Sequence, residues 1–95
     1  MAIQVLIPTP LRKFTNNQET VTASAGTVAT LISELETQFP GINRSLLDDK
    51  GELRRFVNVY VNEEDIRFLD RENTVLNDGD AVSIVPAIAG GSAIN

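Results

Sequence analysis

Three stretches of the sequence hold residues whose types and spacing could support chemistry. The carboxylate run Glu63-Glu64-Asp65 could bind a metal ion or act in acid–base catalysis, but such charge runs are usually solvated hairpin tips. The stretch Asp78-Gly79-Asp80 is similar to half of a calcium loop, but it lacks the alternating ligands and closing Glu, so we interpret it as a turn. The third is the pair Gly90-Gly91, near the end of the chain.

Residue types that the sequence lacks exclude most self-contained catalytic sites. There is no Cys and no His, which excludes thiolate nucleophiles, disulfides, iron–sulfur clusters, zinc fingers and imidazole bases. Neither GxGxxG nor GxxxxGK[ST] occurs, so no nucleotide site is indicated. A Ser or Thr nucleophile would need a carboxylate or one of the two lysines, Lys13 and Lys50, as its base. We therefore expect no enzymatic activity and no bound cofactor or metal.

Length and charge limit the functions that remain possible. A chain of 95 residues forms one small domain, and its net charge of -5 repels phosphate backbones, so nucleic acid is a poor partner. A basic surface on a partner protein would suit it better. No stretch approaches the roughly 18 apolar residues of a membrane span, and the first residues lack the pattern of a signal peptide. We expect a cytoplasmic protein that does not enter membranes.

The first half of the chain predicts a hairpin and a helix. Residues 2–7 alternate apolar and polar side chains, and residues 19–24 are rich in β-branched types, so each is predicted to form a strand. The connection 11–17 is predicted to be a loop in which Asn16 and Asn17 form the turn. From Val28 the apolar spacing becomes helical, and it continues through these positions: Leu31, Ile32, Leu35 and Phe39.

The ends of this helix are also marked. Thr27 is predicted as its N-cap, and Pro40-Gly41 as its end. Ile42, Leu46 and Leu47 are predicted to form a short further turn before a polar stretch.

The second half predicts more strands. Residues 55–62 alternate regularly and are predicted to form a strand, followed by a charged turn at 63–65 and a short strand at Ile66–Phe68. Gly79 is predicted to have positive φ in the turn before the final strand, 81–85. These elements give an α+β fold with one mixed sheet of four to five strands packed on one main helix. If the first and last strands are parallel neighbours, the fold is a ubiquitin-like β-grasp.

The chain is predicted to divide into a β-grasp domain, residues 1–86, and a flexible C-terminal tail, residues 87–95. The segment Ala87-Ile88-Ala89 has no bulky side chains and leads to Gly90-Gly91. Such a segment could thread a narrow channel in another protein, and a glycine carboxylate has no Cβ to hinder an attacking nucleophile.

Four stretches together resemble the ThiS/MoaD family of ubiquitin-like sulfur-carrier proteins, and in particular its CysO-type carriers. They are IQVLIPTPLR, TVATLISELE, RFVNVYVNEEDIRF and LNDGDAVSIVPAIAGG. The resemblance implies a protein cosubstrate rather than an enzyme. An E1-like enzyme would use MgATP to adenylate the carboxylate of Gly91, and a sulfur donor would displace AMP to leave a thiocarboxylate. Gly90, Ala89 and Ile88 would form the tail that partners bind, and a sulfur-accepting synthase of cysteine biosynthesis would take the sulfur.

The sequence departs from the family at its end. Family carriers act with the glycine pair at the free terminus, whereas here Gly91 is followed by Ser92, Ala93, Ile94 and Asn95. The hypothesis is that a JAMM-type protease removes these four residues. Two alternatives are a remnant of protein expression and a copy that no longer carries sulfur.

A docking face is predicted from the pleat of the strands. If the valines of 55–62 face the helix, then Phe56, Asn58, Tyr60 and Val85 face outward beside the tail and could bind a partner, as this face does in the family. The alternative is that Phe56 and Tyr60 are ordinary half-buried sheet residues. Two other functions also stay open: the small subunit of molybdopterin synthase or a thiamin-type carrier, and a ubiquitin-like binding module with an inert tail.

Overall fold

The structure, a computed structural model, describes residues 2–24 and 26–86. The strands within this part are β1 (Ile3–Leu6), β2 (Thr20–Ala23), β3 (Gly26–Thr27), β4 (Val57–Val61), β5 (Glu64–Asp65), β6 (Val75–Leu76) and β7 (Ala81–Pro86). The helices are α1 (Val28–Gln38), α2 (Asn43–Leu46) and the 3-10 helices Thr9–Phe14, Ile66–Phe68 and Arg71–Asn73. The predicted tail, residues 87–95, lies outside the described residues.

Five strands form one mixed sheet in the order β2-β1-β7-β4-β5. β1 and β2 form the predicted antiparallel hairpin, with Val5 opposite Val21. β1 and β7 are parallel neighbours at the centre, where Val5 lies opposite Val82. The α+β prediction and the parallel central pair that defines a ubiquitin-like β-grasp are therefore confirmed.

The core lies between one face of this sheet and α1, because the strands alternate apolar and polar side chains. Val59 and Val61 of β4 and Val82 and Ile84 of β7 are buried on the helix side. The helix buries four of the five residues of the predicted stripe: Val28, Leu31, Ile32 and Leu35. The fifth, Phe39, is the C-cap residue and packs partly buried against the same core. Burial of each such side chain contributes about 1.5–3 kcal/mol, which is the main stabilisation of the sheet–helix layer.

Helix α1 begins at the predicted cap. The Thr27 hydroxyl accepts a hydrogen bond from the Thr30 amide at 3.2 Å, and the Thr27 amide donates to the Thr30 hydroxyl at 2.8 Å, which completes a capping box. After the helix, the Glu36 carboxylate accepts hydrogen bonds from the amides of Gly41 and Asn43, both at 3.0 Å. These hydrogen bonds lower the pKa of Glu36. Helix α1 thus ends at Gln38, just before the predicted stop at Pro40-Gly41, and α2 follows.

The predicted strand at Ile66–Phe68 is wrong, because these residues form a 3-10 helix. The Asp65 carboxylate accepts a hydrogen bond from the Arg67 amide at 2.9 Å and caps this helix. Ile66 is buried, whereas Phe68 is 85% exposed, so the two side chains do not share a sheet face. The edge strand is instead β5, Glu64–Asp65, which the sequence assigned to a charged turn.

Several short elements were not predicted, among them the 3-10 helix Arg71–Asn73. The loop 11–17 contains most of the 3-10 helix Thr9–Phe14, and only its end forms the expected turn, in which Asn16 and Asn17 have positive φ. A second sheet of two short strands pairs β3 with β6, with Thr27 opposite Val75. This small sheet holds the start of α1 against the segment before β7.

Candidate functional site

The strand that leads to the predicted tail is the central strand β7. Its last described residue, Pro86, lies opposite Val57 of β4. On its other side β7 pairs with β1 only as far as Ser83, which lies opposite Leu6. Within the described part of the chain, the segment Ile84–Pro86 is therefore paired along one edge only, and Pro86 has no amide hydrogen to donate to a neighbouring strand. We call Ile84–Pro86 the tail root.

The residues predicted to carry the chemistry lie beyond this root. Gly91, the predicted site of adenylation and thiocarboxylation, lies outside the described residues, as do the following: Ile88, Ala89, Gly90, Ser92, Ala93, Ile94 and Asn95. Their roles stay predictions. The structure adds the position of the strand that precedes these residues, β7.

The predicted docking residues lie next to the tail root. Asn58 is opposite Val85, and Tyr60 is opposite Ser83, on the sheet face that α1 does not cover. Asn58 and Tyr60 are half-buried, whereas Phe56, just before β4, is 46% exposed and Val85 is 43% exposed. The outward orientation predicted from the pleat is thus present, and binding of a partner stays a prediction. We call Phe56, Asn58, Tyr60 and Val85 the docking face.

Leu6 belongs beside this face, although the sequence analysis did not select it. It is 43% exposed, and its opposite residue in the sheet is Ser83. The sequence contained a signal for this exposed position, because Leu6 is a large apolar residue that alternates with the buried side chains of its strand and so shares the outer face with Gln4. The proximity of Leu6 to Ser83 depends on the parallel pairing of β1 with β7, and the periodicity of the sequence does not predict which strands pair.

A charged network fixes the polar edge of the docking face. The Arg67 guanidinium donates to the Asp65 carboxylate at 2.8 Å and to the Asn58 side-chain carbonyl, also at 2.8 Å. The hydrogen bonds from Arg67 lower the pKa of Asp65, and those to Asp65 raise the pKa of Arg67. The hydrogen bond from Arg67 therefore orients the Asn58 side-chain amide beside Val85. This places a polar group next to the exposed apolar side chains of the docking face.

Three of the five carboxylates considered for metal binding, Asp65, Asp78 and Asp80, have structural partners. Asp78 accepts a hydrogen bond from the Ala2 amide at 2.7 Å, and Asp80 accepts from the Asn77 amide at 2.8 Å. Gly79 has φ of +91°, as the turn prediction requires. Across residues 2–24 and 26–86, no three acidic side chains come close enough to one another to hold a metal ion. In the same ranges no helix is both long and apolar enough to cross a membrane.

Comparisons with known proteins agree with this geometry. The sequence profile of the ThiS family matches residues 5–91. The chain is 48% identical over 93 residues to the sulfur carrier protein CysO of Mycobacterium tuberculosis, with 96% of this chain and all of that protein covered.

Solved structures show the same relationship. A chain of the crystal structure of the BexX/CysO complex of Amycolatopsis orientalis matches with a TM-score of 0.87 and 42% identity, covering 95% of this chain and 100% of that one. The crystal structure of CysO from Mycobacterium tuberculosis matches with a TM-score of 0.85 and 46% identity, covering 90% and 99%. The profile match over most of the chain and the shared β-grasp architecture together show that this protein belongs to the ThiS family.

Proposed function

We propose that the chain is a sulfur carrier whose working end is the carboxylate of Gly91. The observation that carries the proposal is the family match, which spans the β-grasp domain and ends at Gly91. The related CysO proteins are sulfur carriers by name. The tail root supports the same function, because a central strand paired along one edge delivers the backbone from the fold toward the glycine pair.

The chemistry needs no reactive side chain of the carrier. Hydrolysis of the Gly91–Ser92 peptide bond frees a carboxylate on Gly91 and an amino group on Ser92. An oxygen of that carboxylate attacks the α-phosphorus of ATP in an E1-like enzyme, and pyrophosphate leaves. Hydrosulfide then attacks the acyl carbon and AMP leaves, which yields the thiocarboxylate directly and releases one proton. ATP and Mg²⁺ belong to the activating enzyme, and the carrier is a substrate rather than an enzyme.

The docking face is proposed to bind the partner enzymes. It combines exposed apolar side chains, Phe56 and Val85, with the aromatic ring of Tyr60 and a fixed polar group, Asn58, immediately beside the tail root. Interfaces favour such aromatic anchors with satisfied polar neighbours. One CysO relative was crystallised in complex with a second protein, BexX, which is consistent with a carrier that works by docking.

The proposed sulfur acceptor is a synthase of cysteine formation, by similarity to the CysO proteins. A chain that copurifies stably with a larger subunit would instead favour the role of a molybdopterin synthase small subunit. A chain that forms no AMP adduct after trimming to Gly91 would favour an inert ubiquitin-like binding module.

The test uses two forms of the protein, the full chain and a chain ending at Gly91. Each is incubated with an E1-like enzyme of the same organism, MgATP and sulfide, and its intact mass is measured. We expect one oxygen to be exchanged for sulfur in the chain ending at Gly91 and no change in the full chain. A trimmed chain that is neither adenylated nor thiocarboxylated would overturn the proposal.

A further inference from the structure

Four of the eight basic residues of this acidic protein line a single groove of about 450 Å³. They are Arg54, Arg55, Arg67 and Arg71. Of the thirteen carboxylates, three line it: Glu52, Asp65 and Glu72. The groove therefore carries an excess of positive charge on a molecule whose net charge is -5. This local reversal of sign is a feature that a sulfur-carrier fold does not by itself require.

Much of the positive charge in the groove has no partner in the structure. The one ion pair among residues 2–24 and 26–86 joins Arg67 to Asp65, and the Arg67 side chain is still 54% exposed. Arg54 donates from Nε to the main-chain carbonyl of Arg44 at 3.0 Å, which positions the guanidinium without neutralising it. In the same described ranges, Arg55 and Arg71 form neither an ion pair nor a side-chain hydrogen bond.

The backbone at Arg71 adds a second observation. Its φ is +52°, in the left-handed region that a side-chain-bearing residue occupies only at some cost. Arg71 begins the 3-10 helix Arg71–Asn73 and lines the groove directly. Residues held in such conformations are found more often at binding sites than elsewhere.

The groove is continuous with the docking face and the tail root. Asn58 belongs to the docking face and also lines the groove, where it accepts the hydrogen bond from Arg67. Val57 also lines the groove, and its cross-strand partner is Pro86. A protein seated on the docking face would therefore extend into the groove.

We propose that this groove binds an acidic peptide segment of a partner protein. Guanidinium groups bind carboxylates through directed, charge-assisted hydrogen bonds, and the groove has room for several side chains, far more than one inorganic phosphate fills. The carboxylates of Glu52 and Glu72, which also line the groove, would repel a concentrated dianion but can alternate with single, spaced carboxylates. Such charge complementarity would fix the orientation of the partner on the docking face. That the segment belongs to the activating enzyme rests on the proposed function.

The binding test uses the full chain, labelled for NMR, titrated with the peptide tetraglutamate at low ionic strength. We expect amide shifts confined to residues 52–59 and 65–72. The double variant Arg55→Gln/Arg71→Gln should bind roughly threefold to tenfold more weakly. The matched control Lys13→Gln/Lys50→Gln has the same net charge outside the groove, and it should bind within about twofold of the unmodified chain.

Three results would overturn the inference. One is an equal loss of affinity in both double variants, which would indicate non-specific attraction, and another is amide shifts spread over the whole surface. The third is tighter binding of tripolyphosphate than of tetraglutamate in the groove, which would assign a phosphate ligand instead.

A second measurement separates this inference from the proposed function. With the chain ending at Gly91, the Arg55→Gln/Arg71→Gln variant should raise the KM of thiocarboxylation and leave kcat unchanged, while the lysine control changes neither. If the unmodified trimmed chain is not thiocarboxylated but tetraglutamate binds the groove, the proposed function is wrong and the inference that the groove binds an acidic peptide is supported. If thiocarboxylation proceeds with unchanged KM in the arginine variant, the activating enzyme does not supply the segment.

Discussion

Val57 and Pro86 lie opposite each other at the end of the central strand pair β4–β7, and Pro86 is the last described residue before the tail. Val57 also lines the arginine groove. This cross-strand pair thus connects the tail root with the groove, and the next residue, Asn58, belongs to both the groove and the docking face. A partner bound there would contact all three at once, which suits a carrier that is recognised through its body and modified at its end.

The docking face can be tested with two exposed valines. Val85→Ser removes an apolar contact beside the tail root, and we expect the KM of thiocarboxylation to rise roughly threefold to tenfold. Val75→Ser is the control, because Val75 is 62% exposed but lies on β6 of the small sheet. Steady-state kinetics of the two variants, each in the chain ending at Gly91, give the comparison. Equal KM values would count against the docking face, and Tyr60→Ala offers a second check within it.

The capping box of α1 predicts a specific loss of stability. Thr27→Ala removes the hydroxyl that accepts from the Thr30 amide, and the free energy of unfolding should fall by about 1 kcal/mol. Thr37→Ala is the control within the same helix, since its hydroxyl donates only to the Ser33 carbonyl, and its effect should stay within about 0.5 kcal/mol. Urea denaturation measures both. Equal effects would show that the cap contributes nothing.

The 3-10 helix Ile66–Phe68 predicts opposite outcomes for its two apolar side chains. Ile66→Ala should lower the free energy of unfolding by about 2–5 kcal/mol, because Ile66 is buried. Phe68→Ser should change it by less than about 0.5 kcal/mol, because the ring is exposed. Thermal unfolding of both variants gives the answer. A large loss in Phe68→Ser would mean that the ring packs against the protein after all.

The Asp65–Arg67 pair predicts a dependence of stability on pH. Folding lowers the pKa of Asp65, so the folded state favours its ionised form. The resulting stabilisation is fully present above the ordinary aspartate pKa of about 4 and is lost as the pH falls through the lowered value. Asp65→Asn should therefore flatten part of the acid limb in a plot of unfolding free energy against pH. An unchanged acid limb in the variant would show that the pair does not stabilise the fold.

Long periodic elements could be predicted from the sequence, and short ones could not. The alternation through Val57, Val59 and Val61 and the helical stripe from Val28 specify which face is buried. Both are confirmed, although Val57 at the start of the strand is only partly buried against the core. Three residues such as Ile66–Phe68 have too little periodicity to separate a strand from a 3-10 helix, and the Asp65 cap decides between them. The two-residue strands β3 and β6 depend on tertiary pairing alone.

The same distinction between features set by periodicity and features set by tertiary contacts applies to the candidate site. The outward position of Asn58 and Tyr60 follows from the pleat, so it could be predicted. The groove could not, because it combines Arg54 and Arg55, which precede β4, with Arg67 and Arg71, which follow β5, and these lie together only in the folded chain. The available signal was that most basic residues of this acidic chain are arginines, but composition does not show where those arginines lie in the fold.

The most direct test of the central claim is the intact mass of this protein isolated from the organism that encodes it. We predict a population whose last residue is Gly91 and in which one carboxylate oxygen is replaced by sulfur. Isolation under denaturing conditions with alkylation of thiocarboxylates would trap this form before hydrolysis. If every molecule in the cell instead continues past Gly91 and no sulfur is found, the chain does not act as a sulfur carrier.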